Sequence, residues 1–112
     1  MTISDELKIV RDLLVSVCGD DIVFHYYRPP SMKRHVVWTE EGEETSFGTN
    51  NRKEELKLTG SIDVYTPTEF DPLIDALETA FSQSERVSTV ITSVVYDTDV
   101  DLIHYTWQFW VA

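Results

Sequence analysis

Three histidines, one cysteine and a pair of carboxylates one helical turn apart are the residues here whose types could do chemistry. Asp71 and Asp75 would share one side of a helix, the spacing that pairs carboxylates for general acid and base work, but such work needs a cleft. Capping of a helix accounts for Asp71, and solvation accounts for Asp75. His25 and His104 each lie within a strand among aromatics, where a hydrogen-bonded sheet histidine is the ordinary occupant. His35 follows Lys33 and Arg34, so a surface position at a strand start is expected. Cys18 sits beside Val17 near a helix end, which favours a buried structural thiol over a nucleophile or ligand. A Gly-rich phosphate loop, an HExxH motif and Cys/His metal spacings are all missing from a chain with four glycines. Catalytic residues, cofactors and metals are therefore not expected, and neither is an enzyme.

The charge is uneven. Twenty acidic residues against nine basic ones give a net charge of −11 over 112 residues, which opposes contact with a phosphate backbone. Direct nucleic-acid binding is not expected. The acids gather at Glu40, Glu41, Glu43 and Glu44 and at Asp97, Asp99 and Asp101, both expected in solvated turns. Arg28, Lys33 and Arg34 form the basic cluster, flanking Pro29-Pro30. These are either solvated charges around a turn or a patch that pairs with an acidic surface on a neighbouring copy, for instance Glu40 to Glu44.

The elements that position these residues follow from hydrophobic period. From Leu56 to Val64 apolar side chains alternate with Lys57, Thr59, Ser61 and Asp63, one face buried and one wet, as in an antiparallel strand. After Thr66-Pro67 the spacing becomes that of an amphipathic helix, with Phe70, Leu73, Ile74, Leu77 and Phe81 on one stripe. Asp71 is expected as its cap with Pro72 at the tolerated first position, Thr68 being the alternative cap. Ser4 before Asp5 and Glu6 predicts another helix over residues 5 to 18, stopped by Gly19. Ile22 to Tyr27 and His35 to Thr39 read as strands. The polar stretch from Glu40 to Lys53, with lone Phe47, reads as a long connection within a hairpin and as the first place for a binding arm. Ser82 to Ser84 reads as a linker, Val87 to Tyr96 as a strand, and Asp97 to Asp101 as a turn. The last strand, Leu102 to Val111, puts Ile103, Tyr105, Trp107, Phe109 and Val111 on a core face. Its other face carries Leu102 and Trp110, more apolar than a plain solvent face, and so invites cover by another element or subunit. The expected class is α+β, a single domain over residues 1–112 with two helices packed on a mainly antiparallel sheet of about five strands. A signal peptide and a membrane span are not expected, since Asp5 and Glu6 stand where positive charge would be needed.

The segments Tyr26-Tyr27-Arg28-Pro29-Pro30, His35-Val36-Val37-Trp38-Thr39-Glu40, Asn51-Arg52-Lys53, Thr59-Gly60-Ser61-Ile62-Asp63-Val64-Tyr65-Thr66, Phe70-Asp71-Pro72-Leu73-Ile74-Asp75 and Ile103-His104-Tyr105-Thr106-Trp107 together resemble small tail-completion proteins of long-tailed phages and prophages of Gram-positive bacteria. These in turn resemble the tail terminator fold. The resemblance covers almost the whole chain, each piece is a weak motif, and its specificity lies in their order. It implies a virion protein at the head-tail junction, made in the bacterial host cytoplasm. Copies would form a hexameric ring on the last ring of the tail tube, end tube growth and offer a surface to head-completion or connector proteins. DNA would pass through the bore without specific binding, helped by acidic walls. Partners would then be the chain itself, the tube protein and the connector, with no membrane and no cofactor. Contact candidates are Arg28, Lys33, Arg34, Glu40, Glu41, Glu43, Glu44, Phe47 and Trp110. By analogy the Glu40 to Lys53 connection grips a neighbour or the tube. Deleting Phe47 to Asn51 is therefore expected to leave the fold intact and abolish assembly; normal tail length and head joining in that mutant would be the contrary result. A competing function uses the same charge differently, in a small acidic immunity or antitoxin-type protein that blocks a basic partner.

Overall fold

The computed structural model describes residues 2–45 and 56–111. Helix α1 spans Ile3–Cys18 and buries Val10 and Leu14. Its cap is Thr2, not Ser4. The Thr2 hydroxyl accepts from the Asp5 amide at 3.1 Å, and the Asp5 carboxylate accepts from the Thr2 amide at 3.0 Å. Only a cap three residues before Asp5 lets both orphan donors be satisfied at once, so the helix starts two residues earlier than Ser4 would allow. Gly19 ends it at φ 80, a conformation that costs glycine little.

Five strands follow in one sheet, β1 (Val23–His25), β2 (His35–Thr45), β3 (Leu56–Thr66), β4 (Val87–Asp97) and β5 (Leu102–Val111), in the order β1-β2-β3-β5-β4. Helix α2, Pro72–Gln83, connects β3 to β4. The β1–β2 pair is parallel and every other pair antiparallel. The architecture is the α+β one expected, and the β2–β3 hairpin is present. Other boundaries differ as well. The first strand is short because Tyr26 turns to φ 70. Strand β2 runs on to Thr45, so Glu40 to Glu44 are strand residues rather than a loop, all paired with β3 except Glu41, which the register shift leaves out. Gln83 still belongs to α2, which Ser84 closes, so only the short stretch before β4 remains as linker.

The core lies between the helices and one face of the sheet. Val36 and Trp38 on β2, Leu58, Ile62 and Val64 on β3, and Trp107, Phe109 and Val111 on β5 meet Leu73, Leu77 and Phe81 of α2 and Val10 and Leu14 of α1. Phe81 packs edge-on against Trp107, ring centres 5.7 Å apart, and the Trp107 indole donates to Glu78 at 2.5 Å. Phe70 departs from the helical stripe. It is 86% exposed at φ 59, because α2 begins only at Pro72 and Phe70 precedes its cap. Ile103 and Tyr105 are only half-buried. They lie toward the end of the sheet away from Phe109 and Val111, opposite β4 residues that are themselves exposed.

The outer face carries stacked rings rather than plain solvent-facing side chains. His35, Tyr65 and His104 stand side by side on β2, β3 and β5, ring centres 4.6 and 4.1 Å apart. The Arg28 guanidinium lies 4.2 Å over Tyr65, a cation–π contact from the returning β1–β2 connection. His35 is thus fully buried, contrary to the expected surface position, and its Nε2 meets no hydrogen-bond partner among the described residues. Burial pushes its pKa below the ordinary histidine value. The unfolded chain then binds a proton more readily than the folded one, so this residue removes stability as pH falls below about 6.5. We expect a lower urea midpoint at pH 5 than at pH 7, and a smaller difference between the two in His35→Gln. An unchanged difference would show that His35 does not carry the effect. The charged and polar groups around it are Arg28, Tyr65, and the His104–Asp63 pair at 2.8 Å.

Candidate assembly surface

The residues expected to make contacts separate into three places. Arg34 is committed to the fold: its guanidinium donates to both oxygens of Asp71 at 2.8 Å each. This pair ties the approach to β2 to the N-terminus of α2. The basic cluster is therefore not one free patch: all three side chains are exposed, but Arg34 is tied to Asp71 and Arg28 lies over Tyr65. The glutamates line β2. Glu40 accepts from Tyr26 and bonds His25 at 2.7 Å, while the His25 ring is sandwiched between Tyr26 and Trp38 at 3.7 and 3.8 Å. These bonds hold the Glu40 carboxyl below its usual range against the opposing effect of burial. Glu41 borders a shallow hollow with Ser61 and Gln108, and Glu43 is exposed opposite Leu58. Glu44 accepts from the Trp110 indole at 3.0 Å, which explains how an aromatic on the second face of β5 is accommodated. Replacing Trp110 by Phe should cost only about 1 kcal/mol in a thermal melt, since the lost bond is at the surface; a cost of several kcal/mol would show that the indole is a core group. Phe47 lies outside the described residues.

His25 and His104 are bonded sheet histidines, as expected. Cys18 is half-buried against the core, and burial pushes its thiol up to about 11, so it stays protonated and unreactive at neutral pH. Among the described residues there is no group of three His, Cys, Asp or Glu side chains that could hold a metal, and no helix long and apolar enough to cross a membrane.

The surface that sequence reasoning missed is β4. Every residue from Val90 to Asp97 is exposed. Val90, Ile91, Val94, Val95 and Tyr96 keep 43 to 56% of their area in water, and Val100 at the turn keeps 46%. This is an outermost strand, so among the described residues its second row of backbone groups has no neighbouring strand. A signal was available: Val90-Ile91 and Val94-Val95 put apolar side chains on both faces, where a strand with one wet face alternates. At the other side of the sheet, β1 pairs only with Val36 to Trp38. Next to it, Ser4, Leu7, Lys8, Arg11, His25 and Trp38 line a groove of about 200 Å³ between α1 and the sheet edge.

No protein-family model and no curated protein matches this chain. Among solved structures, a chain from the virion of a native gene transfer agent particle aligns over 98% of this chain and 97% of its own length, with 16% identity and a TM-score of 0.47. A likeness of that size fixes neither a shared fold nor a shared role.

Proposed function

We propose that this chain is a structural protein of a phage-like virion, a tail terminator subunit whose copies close into a hexameric ring on the last ring of the tail tube. The ring ends tube growth and presents a surface to the head-completion protein, while DNA passes through the bore without specific contact. The observation that carries the reading is the open sheet: a long apolar strand, Val90 to Asp97, left bare at one edge of a small domain with a short, half-buried strand at the other. A subunit with two different open edges is suited to add copies in one direction, and a heterologous contact closes into a ring when its rotation does. The order of helices and strands is the one read from hydrophobic period, and a net charge of −11 keeps a bore wall from holding DNA.

Removing this chain from the particle that encodes it is expected to give overgrown, headless tails by electron microscopy. Tails of normal length joined to heads would overturn the proposal. If the purified chain instead stays monomeric and binds one basic protein tightly, the immunity-type function replaces it.

A further inference from the structure

We infer that the connection from β1 to β2 is a strap held shut against His35, and that its middle lifts from the sheet when His35 takes up a proton.

The parallel pairing of β1 with β2 dictates the path. Val23 lies beside Val36 and His25 beside Trp38, so the chain leaving His25 must run back along the sheet to begin β2 at His35. Arg28 over Tyr65 places this return on the outer face, and Pro29 is buried. Both ends are pinned. At the first, Tyr26 stacks on His25 at 3.7 Å, its amide donates to the Trp38 carbonyl at 3.0 Å, and its hydroxyl donates to Glu40. At the second, Arg34 grips Asp71. Glu40 and Asp71 are both held below the usual carboxylate range, so neither pin loosens in mild acid. Between the pins the strap is fastened by the Arg28 cation–π contact, by Pro29, and by the Lys33 carbonyl, which accepts from His35 Nδ1 at 3.3 Å. Pro29 and Pro30 stiffen this stretch, so it moves as one piece.

His35 is the group that mild acid changes. The Lys33 carbonyl fixes the ring hydrogen on Nδ1, so a second proton must go to Nε2, which is buried and meets no partner among the described residues. A new N–H there has no acceptor, and the new charge loses the solvation of water. The surroundings do not compensate. Arg28 on the strap and His104 on β5 both oppose the charge. Tyr65 of β3 stacks on the ring at 4.6 Å, and the Asp63 carboxylate is already taken by His104 and Thr106, at 2.8 Å each. The sheet cannot yield, because Tyr65 is fixed opposite His35 by the β2–β3 ladder. The strap can. Once it is raised, His35 meets water and titrates as an ordinary histidine, so falling pH favours the raised form below about 6.5. Raising it bares the Tyr65 ring on the outer face.

Nuclear magnetic resonance of the full chain between pH 7.5 and about 4.5 tests this, since it follows each histidine ring separately. The His35 ring should titrate with a midpoint below 6.5. Nuclear Overhauser contacts between the Arg28 side chain and the Tyr65 ring should fade in proportion to the protonated fraction of His35, and the Met32 and Lys33 amides should gain fast motion. Contacts between the His25 and Tyr26 rings should persist, as should the protection of the Trp107 amide against exchange, which separates lifting from unfolding. His35→Gln should keep the Arg28–Tyr65 contacts throughout the range, whereas His104→Gln should still lose them. The parent alone can overturn the inference: a His35 ring that takes its proton with those contacts intact, or that stays neutral down to about pH 4.5, does so. So does loss of Trp107 protection in step with the strap. Lifting that survives in His35→Gln, or that disappears in His104→Gln, assigns the control to another group and is equally contrary.

Discussion

Asp71→Ala is expected to destabilise the fold by about 3 kcal/mol, lowering the melting temperature by roughly 10–20 °C. Asp71 is 3% exposed and serves three partners at once. It caps α2 by accepting from the Leu73 amide at 2.9 Å, accepts from the Thr66 hydroxyl at 2.7 Å, and receives the bidentate Arg34. Alanine leaves the Leu73 amide and the Thr66 hydroxyl without acceptors in a dry place and strands a cation at its edge. Losing one cap costs about 1 kcal/mol, and the unpaired groups account for the rest. Asp71→Asn retains an acceptor for the cap and should cost about half as much. Arg34→Ala should cost less than Asp71→Ala, because the Arg34 side chain is 47% exposed and water replaces part of what it loses. A double variant no worse than Asp71→Ala alone would confirm that the two act as one unit. The pH dependence carries its own check. Arg34, first, with the Leu73 amide and Thr66 draws the Asp71 carboxyl from 3.8 down to about 2. Stability from this group is therefore present above pH 3.8 and lost as pH falls toward 2, on the order of 2 kcal/mol in all. Asp71→Ala should be less acid-sensitive than the parent across that window. Equal melting temperatures for parent and Asp71→Ala would refute the whole account.

The residues of this cap show what a sequence can disclose. Asp71-Pro72 is a local signal: proline restricts the residue before it and suits the first helical position, so the start of α2 could be placed from two letters. That Arg34, 37 positions earlier, would be its partner could not, since nothing local distinguishes it from Arg28 or Lys33. The strands divide in the same way. Leu102 to Val111 is rich in aromatic and β-branched residues and its limits agree with the fold, whereas Glu40 to Thr45 carries no apolar residue, and its strand character comes wholly from the hydrogen-bonded partner β3. Polar composition there spoke for solvent, which is correct, but not against a ladder. His35 was misplaced for a related reason. Its neighbours Lys33 and Arg34 are exposed, yet its ring is closed in by Tyr65, which is distant in sequence.

The candidate assembly surface was the least legible. Apart from Phe47 and Trp110 the contact candidates were charged residues, and the fold spends several of them internally: Arg34 on Asp71, Glu40 on His25 and Tyr26, Glu44 on Trp110. What remains for a partner is mostly apolar and sits on β4, where valine and isoleucine would ordinarily indicate core. Whether such a strand is core or edge depends on the strand order, and α2 places β4 outermost by crossing over before β5 returns between β3 and β4. Exposure there follows from topology, a property of the whole chain.

Gly60→Ala is expected to cost about 3 kcal/mol, through overpacking at a point where nothing can move cheaply. A Cβ on Gly60 would lie 2.1 Å from the Thr39 carbonyl oxygen, 2.7 Å from the Glu40 Cα and 2.7 Å from the Phe109 ring. Two of the three obstacles are backbone in the neighbouring strand. They stand that close because the β2–β3 register shifts between Glu40 and Gly42, opposite Gly60 and Thr59, and such a bulge bends its strand toward the partner. Phe109, fully buried, fills the space over the glycine from β5. The clash would therefore spread in two directions, pushing β2 outward at its bulge and Phe109 into the core. Of the two, the β2 shift also disturbs Glu40 and its bonds to His25 and Tyr26, next to the groove at the sheet edge. Phe109→Leu alone should destabilise by about 1–2 kcal/mol. Combined with Gly60→Ala it should cost less than the sum, because the smaller side chain relieves one of the close contacts. Strict additivity in denaturant titrations would show that the backbone contacts with Thr39 and Glu40 carry the whole penalty, and a near-zero cost for Gly60→Ala alone would refute the close approach itself.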